Sequence, residues 1–384
     1  MRRSVLLPLL LLSTLLVSTA AQSWQTLSPM PVSRSDFAVL PVNSTLYVFG
    51  GCIGNQRVTG GCPAITNRME SFDTATQVWT ERTPATTNRT QYIGCAYQSS
   101  LYYIGGRDLN GDLIATVDVY NAATGVWSQL PDQGGVTSRS NGACFVIGST
   151  LYVTGGYDEY YNSLNTTITL TLPATRFIAT AVPSKPVPSG DCQADAIGNS
   201  GYVFGGFSSQ EADGNGFCHP LATIERYAAT TTTWTLLNET GFIGRGLPAS
   251  GVVNGLLYVM GGEAKGVVCV GGNDISHPEP TVQQFNPATL AFTTVNTLPT
   301  SRFRFSGAAI GTTLYNVGGQ AGEVVTNTSV NASDPTADSG YWPVTNLVEA
   351  LNVSSLTGNA ARGGAVVAGW MVALCALLGA AVLL

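Results

Sequence analysis

Lysine and histidine are nearly missing from this 384-residue chain: there are two of each, Lys185, Lys265, His219 and His277, and the formal net charge is −6. Gripping a phosphate backbone takes a stripe of basic side chains, so nucleic acid is excluded as a partner. Basic residues are also missing after the C-terminal apolar run, residues 365–384, where a single-pass membrane helix ordinarily carries Lys or Arg on its cytoplasmic side. At about 1.5 Å per residue the run could cross roughly 30 Å of hydrocarbon, yet it stops at Leu384 without that flank. Small residues at 356–364 precede it and suit attachment of a glycosylphosphatidylinositol (GPI) anchor at Gly358 or Asn359, or at Ser354 or Ser355 with a longer spacer. A retained tail helix is the alternative.

At the other end, Arg2 and Arg3 precede an apolar run over residues 5–17 and then Ser18-Thr-Ala-Ala21. That order predicts a secretory signal over residues 1–21 and, with the anchor, placement at the extracellular face of the plasma membrane. Asn-x-Ser/Thr sequons at Asn43, Asn88, Asn165, Asn238, Asn327, Asn331 and Asn352 fit passage through that pathway as glycosylation acceptors. So do the eight cysteines, because secreted thiols tend to pair. Cys375 falls in the tail, which leaves an odd number upstream and at least one cysteine free or intermolecular. The most local pair, Cys52 with Cys62, would close one surface loop; Cys192 with Cys218, or Cys218 with Cys269, are further candidates.

Between the ends an internal repeat organises the chain. Apolar segments ending in a double glycine recur at Gly50-Gly51, Gly105-Gly106, Gly155-Gly156, Gly205-Gly206, Gly261-Gly262 and Gly318-Gly319, as in Leu46-Tyr-Val-Phe-Gly50-Gly51. After most of them comes an aromatic, a turn, and a second aromatic: Phe72 with Trp79, Tyr120 with Trp127, Tyr227 with Trp234, Phe285 with Phe292. Strand, turn and strand is a hairpin signal. Before each glycine segment lies a short run of small and apolar residues, often led by arginine, as in Arg34-Ser-Asp-Phe-Ala-Val-Leu. Each repeat thus holds four strands, a to d. Repeat three lacks the aromatic pair, and in repeat four Pro188-Ser-Gly-Asp191 replaces the leading arginine.

A four-stranded repeat of about 50 residues resembles the kelch motif, and the likeness covers residues 24 to about 355. It implies an all-β, six-bladed propeller over residues 22–355, with small residues lining a central channel and aromatics between blades. Ring closure is predicted as well: Trp24-Gln-Thr-Leu27 reads as a strand d without its a, b and c, and 346–352 as a strand c without its d, so the two fragments should complete the last blade.

The same resemblance raises enzymes. Kelch-like copper radical oxidases need two tyrosines, two histidines and a cysteine in matching positions, and no Tyr-x-x-x-His spacing lies near His219 or His277. The iron motif of kelch-type specifier proteins is not matched by Asp274-Ile-Ser-His277, and sialidase-type Asp boxes are absent. Glu211, Asp213, His219, Asp274 and His277 read as solvated loop residues rather than a metal site, and Asp108-Leu-Asn-Gly-Asp112 as a tight turn rather than a calcium loop. No cofactor or metal is expected. Long b-to-c loops, at 52–68, 207–221, 263–279 and 320–345, point to a binding face. There Asp158, Glu159, Tyr160 and Tyr161, with Glu211 and Asp213 nearby, are the candidate ligand contacts. The expected role is recognition of a protein or glycan at the cell surface; a carbohydrate-active enzyme of epimerase or mutarotase type is the alternative.

Overall fold

A computed structural model describes residues 22–57, 61–130, 138–176, 180–210, 219–264, 277–322, 325–326 and 340–356. The chain forms six four-stranded antiparallel sheets arranged as propeller blades. Blade one runs Ala38–Val42, Thr45–Phe49, Met69–Asp73, Val78–Arg82, and the next four repeat this order. The sixth consists of Ser306–Ile310, Thr313–Val317 and Val348–Asn352, and Gln25–Thr26 supplies its outer strand. Gln25 lies opposite Ala350 and Thr26 opposite Glu349, so the ring closes through the predicted fragments. Trp24 adds a bond from its indole N–H to the Thr297 carbonyl, 2.8 Å, on blade five.

The sequence pattern explains each strand's place. Strand b is apolar on both faces and buried beyond its first residue, as over Leu46–Phe49 in the strand Thr45–Phe49, because it is flanked in its own sheet and covered by both neighbouring blades. Strand d is the polar outer edge, as in Val78–Arg82. The paired aromatics stand directly opposite one another across strands c and d, with ring centroids 5.0 Å apart for Phe72 and Trp79, 5.0 Å for Tyr120 and Trp127, and 4.8 Å for Phe285 and Phe292. The hydrophobic clusters sit at the seams between blades, where these rings meet Tyr47, Phe49 and Tyr103 or their counterparts. The second glycine of each pair has no room for a side chain: a Cβ on Gly51 would lie 2.7 Å from the Ser35 carbonyl oxygen, and one on Gly106 2.6 Å from that of Thr90.

A buried cation leads every blade. Arg34, Arg89, Arg139, Arg245 and Arg302 each donate from Nη1 to the carbonyl of the first glycine of the pair sixteen residues on, at 2.9–3.1 Å. Strand c supplies the counter-charge in three of these blades, with Glu70 on Arg34, Asp118 on Arg89 and Glu349 on Arg302. In blade four Ser189 stands at the arginine position, and Lys185 reaches in from four residues earlier to bond Ser189 Oγ at 2.7 Å and Glu225 at 3.0 Å. The cation missing from that repeat's leading segment is therefore restored from another backbone position.

Two disulfides are present among the described residues. Cys52 and Cys62 are joined, with Cα atoms 5.7 Å apart. Cys95 and Cys144 form a second bridge that the sequence did not suggest, linking strands a of blades two and three across the channel wall, where no backbone ladder connects the sheets. Cys192 is a free, buried thiol, which corrects its expected pairing with Cys218; Cys218 and Cys269 lie outside the described residues. The Cys95–Cys144 bridge restrains 49 residues of the unfolded chain, so Cys95→Ala with Cys144→Ala should lower stability by about 2–4 kcal/mol. Denaturant melts of this variant and of the parent would check it; coincident curves would show that the staple contributes nothing.

Candidate functional site

Each blade is joined to the next at the mouth of the channel by a residue two positions after the arginine position, which Ser189 occupies in blade four. These six residues, Asp36, Gln91, Asn141, Asp191, Leu247 and Arg304, all hold left-handed backbone conformations with φ of 45–58°. Their backbones form a belt: the N–H of Asp36 donates to the Arg304 carbonyl at 2.9 Å, Gln91 to Asp36 at 3.1 Å, Asn141 to Gln91 at 2.7 Å, Asp191 to Asn141 at 2.7 Å, and Leu247 to Asp191 at 2.7 Å. Asn and Asp tolerate this conformation best, while Leu247 and Arg304 are strained by about 1–2 kcal/mol each, a cost set against the belt bonds. The belt lies at the start of strands a, so its side chains face the side from which the b-to-c loops emerge.

Over the belt is a cavity of about 430 Å³ lined by Gln91, Asn141, Tyr157, Tyr161, Asp191, Phe207, Glu263 and Arg304. Two of its walls are rings laid flat on glycines of the following blade. A Cβ on Gly190 would come within 2.3 Å of the Tyr157 ring, and one on Gly246 within 2.1 Å of the Phe207 ring. Tyr157 donates its hydroxyl proton to Asp191 Oδ2 at 3.0 Å, and the buried Asp191 Oδ1 has no hydrogen-bond partner among the described residues. Burial, with Glu263 and Asp36 close by, pushes the Asp191 carboxyl up to about 7 against the opposing pull of Arg304 and Tyr157. Arg304 is already engaged: Nη1 donates to Gln56 Oε1 at 3.0 Å and lies 3.7 Å from Asp36 Oδ1, while Gln56 Nε2 donates to Asp36 Oδ2 at 3.0 Å. Burial works against the Arg304 charge, but Asp36, Glu263 and Asp191 outweigh it and hold its pKa above the ordinary value.

Below the belt the channel is a second cavity, about 270 Å³, walled by the small residues of strands a and by Asp195 and Ser250. Asp195 is likewise pushed up to about 7 by burial, opposed by its hydrogen bond with Ser250. Among the described residues no three His, Cys, Asp or Glu side chains are grouped to hold a metal ion.

A family model described as the KLHDC2/KLHL20/DRC7 Kelch-repeats domain matches residues 94–319. The chain belongs to the kelch-repeat β-propeller family. A second model, the Attractin/LZTR1 beta-propeller, matches residues 11–172. This kelch propeller is 24% identical over 255 residues to Kelch-like protein terF of Aspergillus terreus, covering 62% of this chain and 52% of that protein. It is 23% identical over 230 residues to Kelch-like protein 25 of Xenopus tropicalis, covering 58% of this chain and 35% of that one. With Beta-scruin of Limulus polyphemus it shares 28% over 138 residues, 35% of this chain and 15% of the relative. The chain thus spans about half or less of the length of these relatives.

The sequence-predicted contacts of the kelch propeller divide. Tyr161 lines the cavity, with the Arg107 guanidinium 3.8 Å from its ring centroid, and Tyr160 beside it is 76% exposed. Asp158 is occupied with the turn: its Oδ1 accepts the N–H groups of Tyr160 at 2.9 Å and Asn162 at 2.8 Å. Asp108 makes the same turn in blade two through Asn110 and Asp112, which accounts for the calcium-like string there. Glu159 borders a neighbouring groove of about 480 Å³ with Arg107 and Asp112. Glu211, Asp213 and Asp274 lie outside the described residues, as do Asn327, Asn331, Gly358 and Asn359. Asn43, Asn88, Asn238 and Asn352 are exposed and Asn165 is half-buried. Asp191, Glu263, Phe207 and Arg304 were not singled out from the sequence. Their signal was there, two residues after each arginine position or directly after each glycine pair, and appears once the repeats are aligned on that position.

Proposed function

We propose that this kelch propeller is a cell-surface recognition module that binds a protein ligand at the channel mouth, on the long-loop face. The observation that carries the reading is the cavity over the six-residue belt, where aromatic faces and carboxylates meet on a rigid ring. Aromatic walls supply wide contact area at low entropy cost, and the polar groups between them fix orientation. A screen of secreted and surface proteins, with a glycan array beside it, tests the reading on the whole chain. Replacing Tyr161 by Ala should weaken the captured partner by about 1–3 kcal/mol while the melting curve holds. A partner indifferent to Tyr161→Ala but lost on a change at Asn43, in the a-to-b turn of the opposite face, would move the site there; glycan binding alone would change the ligand class.

Surface placement is the second half of the proposal. It is supported by the charged-apolar-small order at 1–21, by the uncharged run at 365–384, and by two disulfides within the ring, which suit an oxidising compartment. A phosphatidylinositol-specific phospholipase should release the protein from cells. Retention with a tag after Leu384 still attached would favour a tail helix.

A further inference from the structure

We infer that the mature chain begins at Gln22 and that this glutamine is cyclised to pyroglutamate, an uncharged N-terminus that shields the strand closing the ring. The inference rests on the secretory reading of residues 1–21 and adds what becomes of the end that cleavage exposes.

Ring closure depends on a short strand. Its ladder with strand c of the sixth blade is Gln25 and Thr26, so the residues before them need other supports. Blade five provides these. Its outer strand, Ala291–Thr297, is seven residues long where those of the other blades have two to five, and an irregularity in its pairing between Val282 and Gln283 sets off the added end. Three consecutive residues of that end receive the N-terminal segment. Val295 packs in the same hydrophobic cluster as Trp24, Asn296 Nδ2 donates to the Gln22 carbonyl at 2.9 Å, and the Thr297 carbonyl accepts the Trp24 indole N–H. Asn296 is fixed for this role, because its Oδ1 accepts the N–H of Thr297 at 2.7 Å. The extension of blade five thus reaches back to residue 22, the first after the predicted signal.

A glutamine at that place has a chemistry of its own. Gln22 is half-buried beside an exposed Ser23, and its Oε1 has neither solvent contact nor a hydrogen-bond partner among the described residues. The open side chain therefore gains no bond for its oxygen there. An α-ammonium exposed by cleavage would place a charge at a half-buried end whose described bonds come from an amide, an indole and backbone groups, none of them a carboxylate. Cyclisation removes that charge. The neutral α-amine attacks the side-chain Cδ, the new N–Cδ amide bond closes a lactam, and the Cδ–Nε2 bond breaks to release ammonia. No oxidant, reductant or other co-reactant enters. An α-amine titrates near about 8, so a share of it is neutral and nucleophilic at physiological pH. The lactam leaves an aminopeptidase no α-ammonium to bind, which stops trimming toward Trp24 and the closing strand.

The test uses the full chain secreted from cultured eukaryotic cells and labelled at its amines before digestion, so that a free glutamine cannot cyclise afterwards. Mass spectrometry of the N-terminal peptide should show residues from Gln22 onward, unlabelled and lighter than their sequence by one ammonia. Gln22→Ala cannot form the lactam, and its N-terminus should take the label while its melting curve matches the parent's. After incubation of both folded proteins with an aminopeptidase, the variant should lose N-terminal residues and melt lower, whereas the parent keeps its first residue and its melting curve. A labelled Gln22, or a chain beginning at Ala21, would overturn the inference and leave secretion standing. A chain still beginning at Met1 would overturn the secretory reading along with it. Equal trimming of parent and variant would overturn the shielding role.

Discussion

The protein should be more stable at about pH 5 than at about pH 8, the reverse of the ordinary acid sensitivity of a carboxylate-rich chain. Two carboxyls dominate this, and the raised Glu349 adds in the same direction. Burial raises both Asp191 at the channel mouth and Asp195 within the channel to about 7, while an unfolded aspartate titrates near 3.9. Between about pH 4 and about pH 7 the folded chain therefore binds more protons than the unfolded one, and stability falls as pH rises through that window. Above it both states are ionised and the loss is complete. A shift of this size corresponds to roughly 2–4 kcal/mol per carboxyl once partial exposure is discounted. Denaturant titrations across the window measure it. Asp191→Asn with Asp195→Asn should flatten the profile and stabilise the protein at about pH 8; an unchanged slope in that double variant would mean that other groups set the pH dependence.

Arg302→Met should destabilise the ring by about 3–5 kcal/mol, because it leaves Glu349 charged and 2% exposed with its counter-charge removed. The carbonyls of Gly318 and Leu347 lose a donor at the same time. The pair is not stabilising in itself. Burial lowers the Arg302 pKa despite Glu349 and raises that of Glu349 despite Arg302, so desolvation outweighs attraction for both partners. Arg302→Met combined with Glu349→Leu should accordingly recover most of the stability lost in the single variant. Equal losses in the single and double variants would show that the carbonyl bonds of the guanidinium, and not the stranded carboxylate, carry the effect.

Repeat geometry was open to reading because it is local. Leu46-Tyr-Val-Phe before Gly50-Gly51, and Phe72 seven residues before Trp79, declare strand, turn and seam by pattern alone, and the unpartnered fragments at 24–27 and 346–352 declared the closure. Pairings that depend on neighbouring blades were not open in this way. Cys95 and Cys144 meet only because two strands a stand side by side on the channel wall, and Lys185 replaces an arginine only because its stem reaches the same buried place from another backbone position. For the site, Tyr161 was found as an aromatic in a promising loop. Asp191, Glu263 and Arg304 come from three different blades, and their convergence belongs to the ring rather than to any one segment. Asp158 misled for a related reason, since an aspartate that caps a turn looks in sequence like one that faces a ligand.

Amide hydrogen exchange of the chain, with and without the partner captured in the surface-protein screen, tests the account most directly. The account predicts slowed exchange at the belt and its walls, around Tyr157 to Ser163, Asp191 and Glu263, with the a-to-b turns at Asn43, Gln98 and Asn254 on the opposite face unchanged. Protection confined to those turns, with the channel mouth exchanging as in the free protein, would contradict it.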